Sequence, residues 1–141
     1  MVPRATSAPA GGPISTDNTY QPGVCNIGPA EIAKRRQSAL LGLAVTLVTL
    51  VLLIVLQAPP PVRFILALPA AGTAIAFLQV VLKFCVAFGS LGVFNFGEVG
   101  TVHHIADAAA RSRDRWRAMR MILAGLAIGV IVGILAVVLP L

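Results

Sequence analysis

The chain has 141 residues, of which 57% are hydrophobic and only 11% charged, with a net charge of +6. Globular domains carry about a quarter charged residues, so a water-soluble fold of this size would lack polar surface. Nucleic-acid binding, which the positive charge invites, is excluded by its placement: basic residues sit at the ends of apolar runs, not in one patch interleaved with aromatics.

Residues 1–24 are rich in Pro, Gly, Ser and Thr and lack hydrophobic periodicity. Such a segment buries too little apolar surface to offset its ordering entropy, which predicts a disordered tail. This polar stretch is too long for the basic segment of a cleavable signal peptide, so the first apolar run is expected to stay as a span. Residues 25–37 then read as a helix start. Pro29 suits the first turn, Glu31 suits the positive end of the helix dipole, and Lys34, Arg35 and Arg36 form a basic interface.

Three apolar runs follow, at 39–56, 64–96 and 121–141. Each is long enough to cross a hydrocarbon core about 30 Å thick, which takes roughly 20 residues of helix. The first stops at Pro59, Pro60 and Pro61, which are expected to force a short, stiff turn. The second is too long for one straight crossing. Lys83 marks its break, with the ammonium at the interface, the span over 64–82, and an interfacial or re-entrant segment beyond it.

Residues 98–120 show Val102, Ile105, Ala109, Ser112, Trp116 and Met119 at three- and four-residue spacing, which predicts a basic amphipathic helix. Asp107 is placed to pair with Arg111, and Asp114 with Arg117. Arg111, Arg113, Arg115, Arg117 and Arg120 lead into the third span, with Trp116 at headgroup level. The predicted fold is therefore an all-α membrane protein of three transmembrane helices. Its parts are a disordered tail (1–24), an antiparallel hairpin with an interfacial segment (25–97), a basic cytoplasmic helix (98–120) and a third span (121–141).

The Lys and Arg distribution sets the orientation. Basic clusters precede span one and separate spans two and three, while the first loop holds only Arg63 and the C-terminal end holds none. The positive-inside rule places the N-terminus in the cytoplasm and the C-terminus outside, in a bacterial inner membrane. The arginines also attract anionic lipid headgroups, at about 1 kcal/mol per basic residue near the surface.

Gly125, Gly129 and Gly133 form a GxxxGxxxG face on span three, echoed by Ser38, Gly42 and Thr46 on span one. Glycine at this spacing lets another helix approach closely, whether span one, a second copy or another protein. The hairpin brings Cys25 and Cys85 to one interface, with His103 and His104 on the same side. Together these four are candidates for a zinc site, and the cysteines alone for a thiol pair. The spacing opposes the metal, because adjacent histidines on a helix point about 100° apart. No cofactor is expected. There is no Walker sequence, GxSxG, HExxH or paired carboxylate, so the chain is not expected to be an enzyme.

Asn26, Gly28, Arg35 and Arg36, followed by Phe84-Cys85 and Leu91-Gly92, resemble the YgaP-type transmembrane domain of membrane rhodaneses and their small stand-alone relatives. The resemblance covers residues 25–94. It implies a two-helix module associated with sulfur or thiol handling, with Cys85 as the position of interest. Val86 stands where that family has proline, and the third span is additional.

Three functions follow as expectations. The first is a non-catalytic accessory or assembly subunit that meets another membrane protein, or its own copy, through the third span and the helix around Trp116. The second is thiol handling by Cys25 and Cys85. The third is a small oligomeric exporter or channel with water around Gln79 and Lys83.

Overall fold

The computed structural model of the chain describes residues 20–100 and 102–141. Residues 1–19 of the expected disordered tail lie outside the described residues. Its last five do not form a tail: Tyr20 stacks on Phe94 with ring centroids 4.8 Å apart, and a turn joins Gln21 to Cys25.

Helix α1 (Pro29–Val55) starts with Pro29 in its first turn, where a missing N–H costs nothing. It leaves the helical path at Leu56 and Gln57, the latter in the left-handed region with φ 51°. The prolines then act differently from expectation. Pro60 and Pro61 occupy the opening positions of a short helix, α2 (Pro60–Arg63), instead of forming a turn that blocks one.

A 3₁₀ turn at Phe64–Leu66 links α2 to α3 (Ala67–Leu82). Pro69 accounts for the tightening, since it cannot donate to the Ile65 carbonyl four residues back. Lys83 ends α3 in the left-handed conformation, with φ 54°. Helix α4 (Val86–Leu91) follows, then strand β1 (Val93–Phe94), which pairs antiparallel with β2 (His103–His104).

The basic helix expected over 98–120 is not separate from span three. A single helix, α5, runs Ala108–Val138 without a break. The apolar spacing of Val102 and Ile105 belongs to an extended segment instead, with Ile105 donating its N–H to the Gly92 carbonyl at 2.9 Å. Asp107 sets the start of α5, accepting from the Ala109 N–H at 3.1 Å. It therefore caps the helix rather than pairing with Arg111, whose guanidinium donates to the Ile105 and Ala106 carbonyls.

Three helical stretches are long and apolar enough to cross a membrane: Pro29–Val55, Pro60–Leu82 and Ala108–Val138. That is the composition of a multi-pass membrane protein. The middle stretch packs against both others, and α1 meets α5 hardly at all. The glycine face of α5 is spent on this packing. A Cβ on Gly129 would lie 2.6 Å from the Ala71 Cβ and 2.7 Å from the Ala67 carbonyl oxygen. One on Gly133 would meet Phe64 and Ala67, and one on Gly125 would meet Ile75. The glycine face of α5 is thus packed against span two of the same chain.

The α1–α3 seam uses Gly42 and two threonines. The Thr46 and Thr73 hydroxyls lie 3.0 Å apart, and each also reaches the carbonyl four residues back, Gly42 and Pro69 respectively. Two hydroxyl protons serve three contacts, so one contact always lacks a donor. Beside this seam lies an apolar cleft of about 350 Å³.

Candidate functional site

The polar chemistry of the chain gathers where α1 begins and α3 ends. Asn26 sits at its centre and is fully buried. Its side-chain Nδ2 donates to the Cys85 carbonyl at 3.1 Å, and its Oδ1 accepts from the Cys85 N–H at 2.7 Å. The Asn26 backbone N–H donates to the Lys83 carbonyl, while its own carbonyl accepts from Asn95 N–H. One asparagine therefore joins the entry of α1, the exit of α3 and the strand segment.

Glu31, 2% exposed, lies one turn into α1. Its Oε2 accepts from Asn95 Nδ2 at 3.0 Å and from the Gly100 N–H at 3.4 Å. Its Oε1 makes no hydrogen bond but lies 3.5 Å from the Arg35 guanidinium, within ion-pair range. Arg35 in turn donates to the Cys85 sulfur at 3.0 Å and stands 5.7 Å from the centre of the Phe88 ring. A carboxylate, a guanidinium and a thiol thus form one chain of contacts. Gly28 is required nearby, since a Cβ there would come within 2.8 Å of the Phe96 backbone.

Asp114 closes the other side. It is fully buried, and its carboxylate accepts from the Tyr20 hydroxyl at 2.8 Å and from the Gly23 N–H at 2.7 Å. Burial raises its pKa above the ordinary carboxylate value, against the opposing pull of those two hydrogen bonds. Burial and the neighbouring carboxylate push the Tyr20 phenol well upward, so it stays a donor. The pair expected between Asp114 and Arg117 does not form: the carboxylate is taken by the segment ahead of α1, and Arg117 lies 5.9 Å from the Phe84 ring centre.

Of the residues singled out from the sequence, Cys25 and Cys85 are both buried and neither forms a disulfide. They face different neighbours, Cys25 donating to the Ile27 carbonyl and Cys85 accepting from Arg35. His103 and His104 are exposed on β2. Among the described residues, no three of His, Cys, Asp and Glu gather into a metal-holding group, so the Cys25, Cys85, His103 and His104 set is not assembled. The histidines lie on an exposed strand and the thiols inside.

Lys34, Arg36, Arg113 and Arg120 are exposed, while Lys83 and Arg117 are half-buried. Gln79 is half-buried, and its Oε1 accepts from the Val86 N–H at 3.0 Å at the start of α4. Glu31, Asn95, Asp114 and Tyr20 were not singled out as site residues by sequence reasoning. Asn95 between two phenylalanines, and Tyr20 as the one aromatic of a polar segment, were the available signals. Compared with family models, curated proteins and solved structures, the chain matches none of them.

Proposed function

We propose that this chain is a non-catalytic accessory or assembly subunit of a complex in a bacterial inner membrane. Its basic end faces the cytoplasm and its C-terminus lies outside, as the Lys and Arg distribution requires. One observation carries the reading: the buried polar side chains Asn26, Asn95 and Asp114, and one oxygen of Glu31, are spent on holding the chain to itself. What remains open is helix surface. Because the glycine face is filled by α3, the partner surface is the outer side of α1, with exposed Leu47 and Val51, and the rim around Trp116.

The test is purification in mild detergent from native membranes, with a photo-crosslinker at Leu47 or Trp116. A stoichiometric larger protein crosslinked at those positions is expected. Recovery alone, or only with copies of itself, would overturn the reading.

A second reading, thiol handling at the cytoplasmic interface, is favoured by the Arg35–Cys85 contact at 3.0 Å. The guanidinium places a cationic donor directly on the sulfur. The resemblance to the YgaP-type domain adds to this reading, because Asn26, Arg35, Phe84 and Cys85 meet in one place. It predicts that Cys85 reacts with a membrane-permeant maleimide in the native protein and that Cys85→Ser has a phenotype. A Cys85 that stays unlabelled until denaturation would sink it.

A further inference from the structure

Between the last turns of α3 and the arginine-bearing turns of α5 lies a cleft of about 210 Å³, lined by Leu78, Leu82, Arg117, Arg120, Met121 and Ala124. Its chemistry is divided by depth. Of its two arginines, Arg120 is exposed and Arg117 half-buried. Leu78 lies one turn below Leu82 on α3, and Met121 and Ala124 open the apolar run of α5. A cation pair above an apolar trough matches a molecule with a charged head and a hydrocarbon body.

The arginines lack an anion. Among the described residues, no carboxylate pairs with either, and the Arg117 Nε is buried without a hydrogen-bond partner. Asp114, one turn away, is held on another side by Tyr20 and Gly23. The Arg117 guanidinium lies 5.9 Å from the centre of the fully buried Phe84 ring, within cation–π range. An oriented guanidinium with an unmet N–H is a recognition group for phosphate oxygens.

We infer that this cleft is a binding site for an anionic phospholipid, its phosphate on Arg117 and Arg120 and an acyl chain along Leu78, Leu82 and Ala124. The site is distinct from the diffuse attraction that the whole arginine cluster exerts. It rests on the membrane reading and is independent of any protein partner.

The test is native mass spectrometry of the full chain released from micelles containing phosphatidylglycerol and phosphatidylcholine in equal amounts. The wild-type chain is expected to retain phosphatidylglycerol in clear preference. Two guanidiniums at the headgroup level predict a loss of about tenfold or more in that preference for the Arg117→Gln, Arg120→Gln double variant. Arg115→Gln, which removes the same kind of charge outside the cleft, is expected to cost no more than the diffuse share of one exposed charge, about fivefold. Leu78→Trp fills the trough while keeping every charge and is expected to abolish the preference too, with the helical circular dichroism and thermal unfolding of the chain unchanged, which separates a lost site from a lost fold. Equal loss from Arg115→Gln would overturn the proposal in favour of diffuse attraction. Full competition by glycerol phosphate would overturn it in favour of a headgroup-only anion site.

Discussion

Helices α1 and α5 are both attached to α3, but by opposite means. Helix α5 is fastened along its length, where three glycines let its backbone settle against Ile75, Ala71, Ala67 and Phe64. Helix α1 meets α3 through Gly42 and the threonine pair, leaves a cleft beside them, and packs Leu53 into a buried cluster with Leu66 and Ala136 at its far end. It alone has a polar clasp at its start, made by Asn26 and Glu31. The difference shows two ways of holding helices where hydrocarbon offers no contrast with lipid: close backbone approach along a seam, or a polar clasp at one end.

The largest expected effect breaks the seam. Gly129→Val puts two methyl groups against the Ala67 carbonyl and the Ala71 side chain, and is expected to destabilise the fold by about 3 kcal/mol. Reversible unfolding in mixed micelles measures this. Asn26→Ala tests the clasp: it strips partners from the buried Cys85 N–H and carbonyl, and should cost about 2 kcal/mol. The loss should localise, with hydrogen exchange rising at the start of α1 and staying slow along α5. Thr73→Val removes the only side-chain hydrogen bond between α1 and α3 among the described residues, and should cost about 0.6 kcal/mol. If it costs as much as Asn26→Ala, α1 is held by its seam after all, and the contrast fails.

The smallest effect is a slope with pH. Burial holds Asp114 above its ordinary value of 3.8, so the folded chain keeps that proton more readily than the unfolded chain. Its contribution to stability is fully present below the unfolded value and is lost as pH rises through the raised folded value. Thermal unfolding across the acidic range should therefore show Asp114→Asn with a flatter profile than wild type.

The sequence makes the three long helices legible, because hydropathy alone determines what can span. It marks the close of α3 through Lys83 and the close-packing face of α5 through glycine spacing. It does not identify what lies against that face, since spacing records flatness and not the neighbour. The clasp was hidden for a related reason. Asn26 read as part of a short motif, Glu31 as a helix-start acid, Asn95 as part of an interfacial segment and Asp114 as a surface pair for Arg117, and their burial depends on partners 59 to 94 residues away along the chain. The stripe through Val102 and Ile105 misled because a few apolar residues at helical spacing also suit an extended segment ahead of a capped helix.

Helix α5 runs 31 residues, about 46 Å at 1.5 Å per residue, with no proline or bulge in its interior. Such a rod has no joint at the point where its arginines give way to its glycines. It works as a lever: whatever grips the basic turns, headgroup or protein, cannot tilt them without shifting the glycine seam at the far arm. The stiffness of one helix thereby gives its basic end mechanical purchase on the packing along its glycine face.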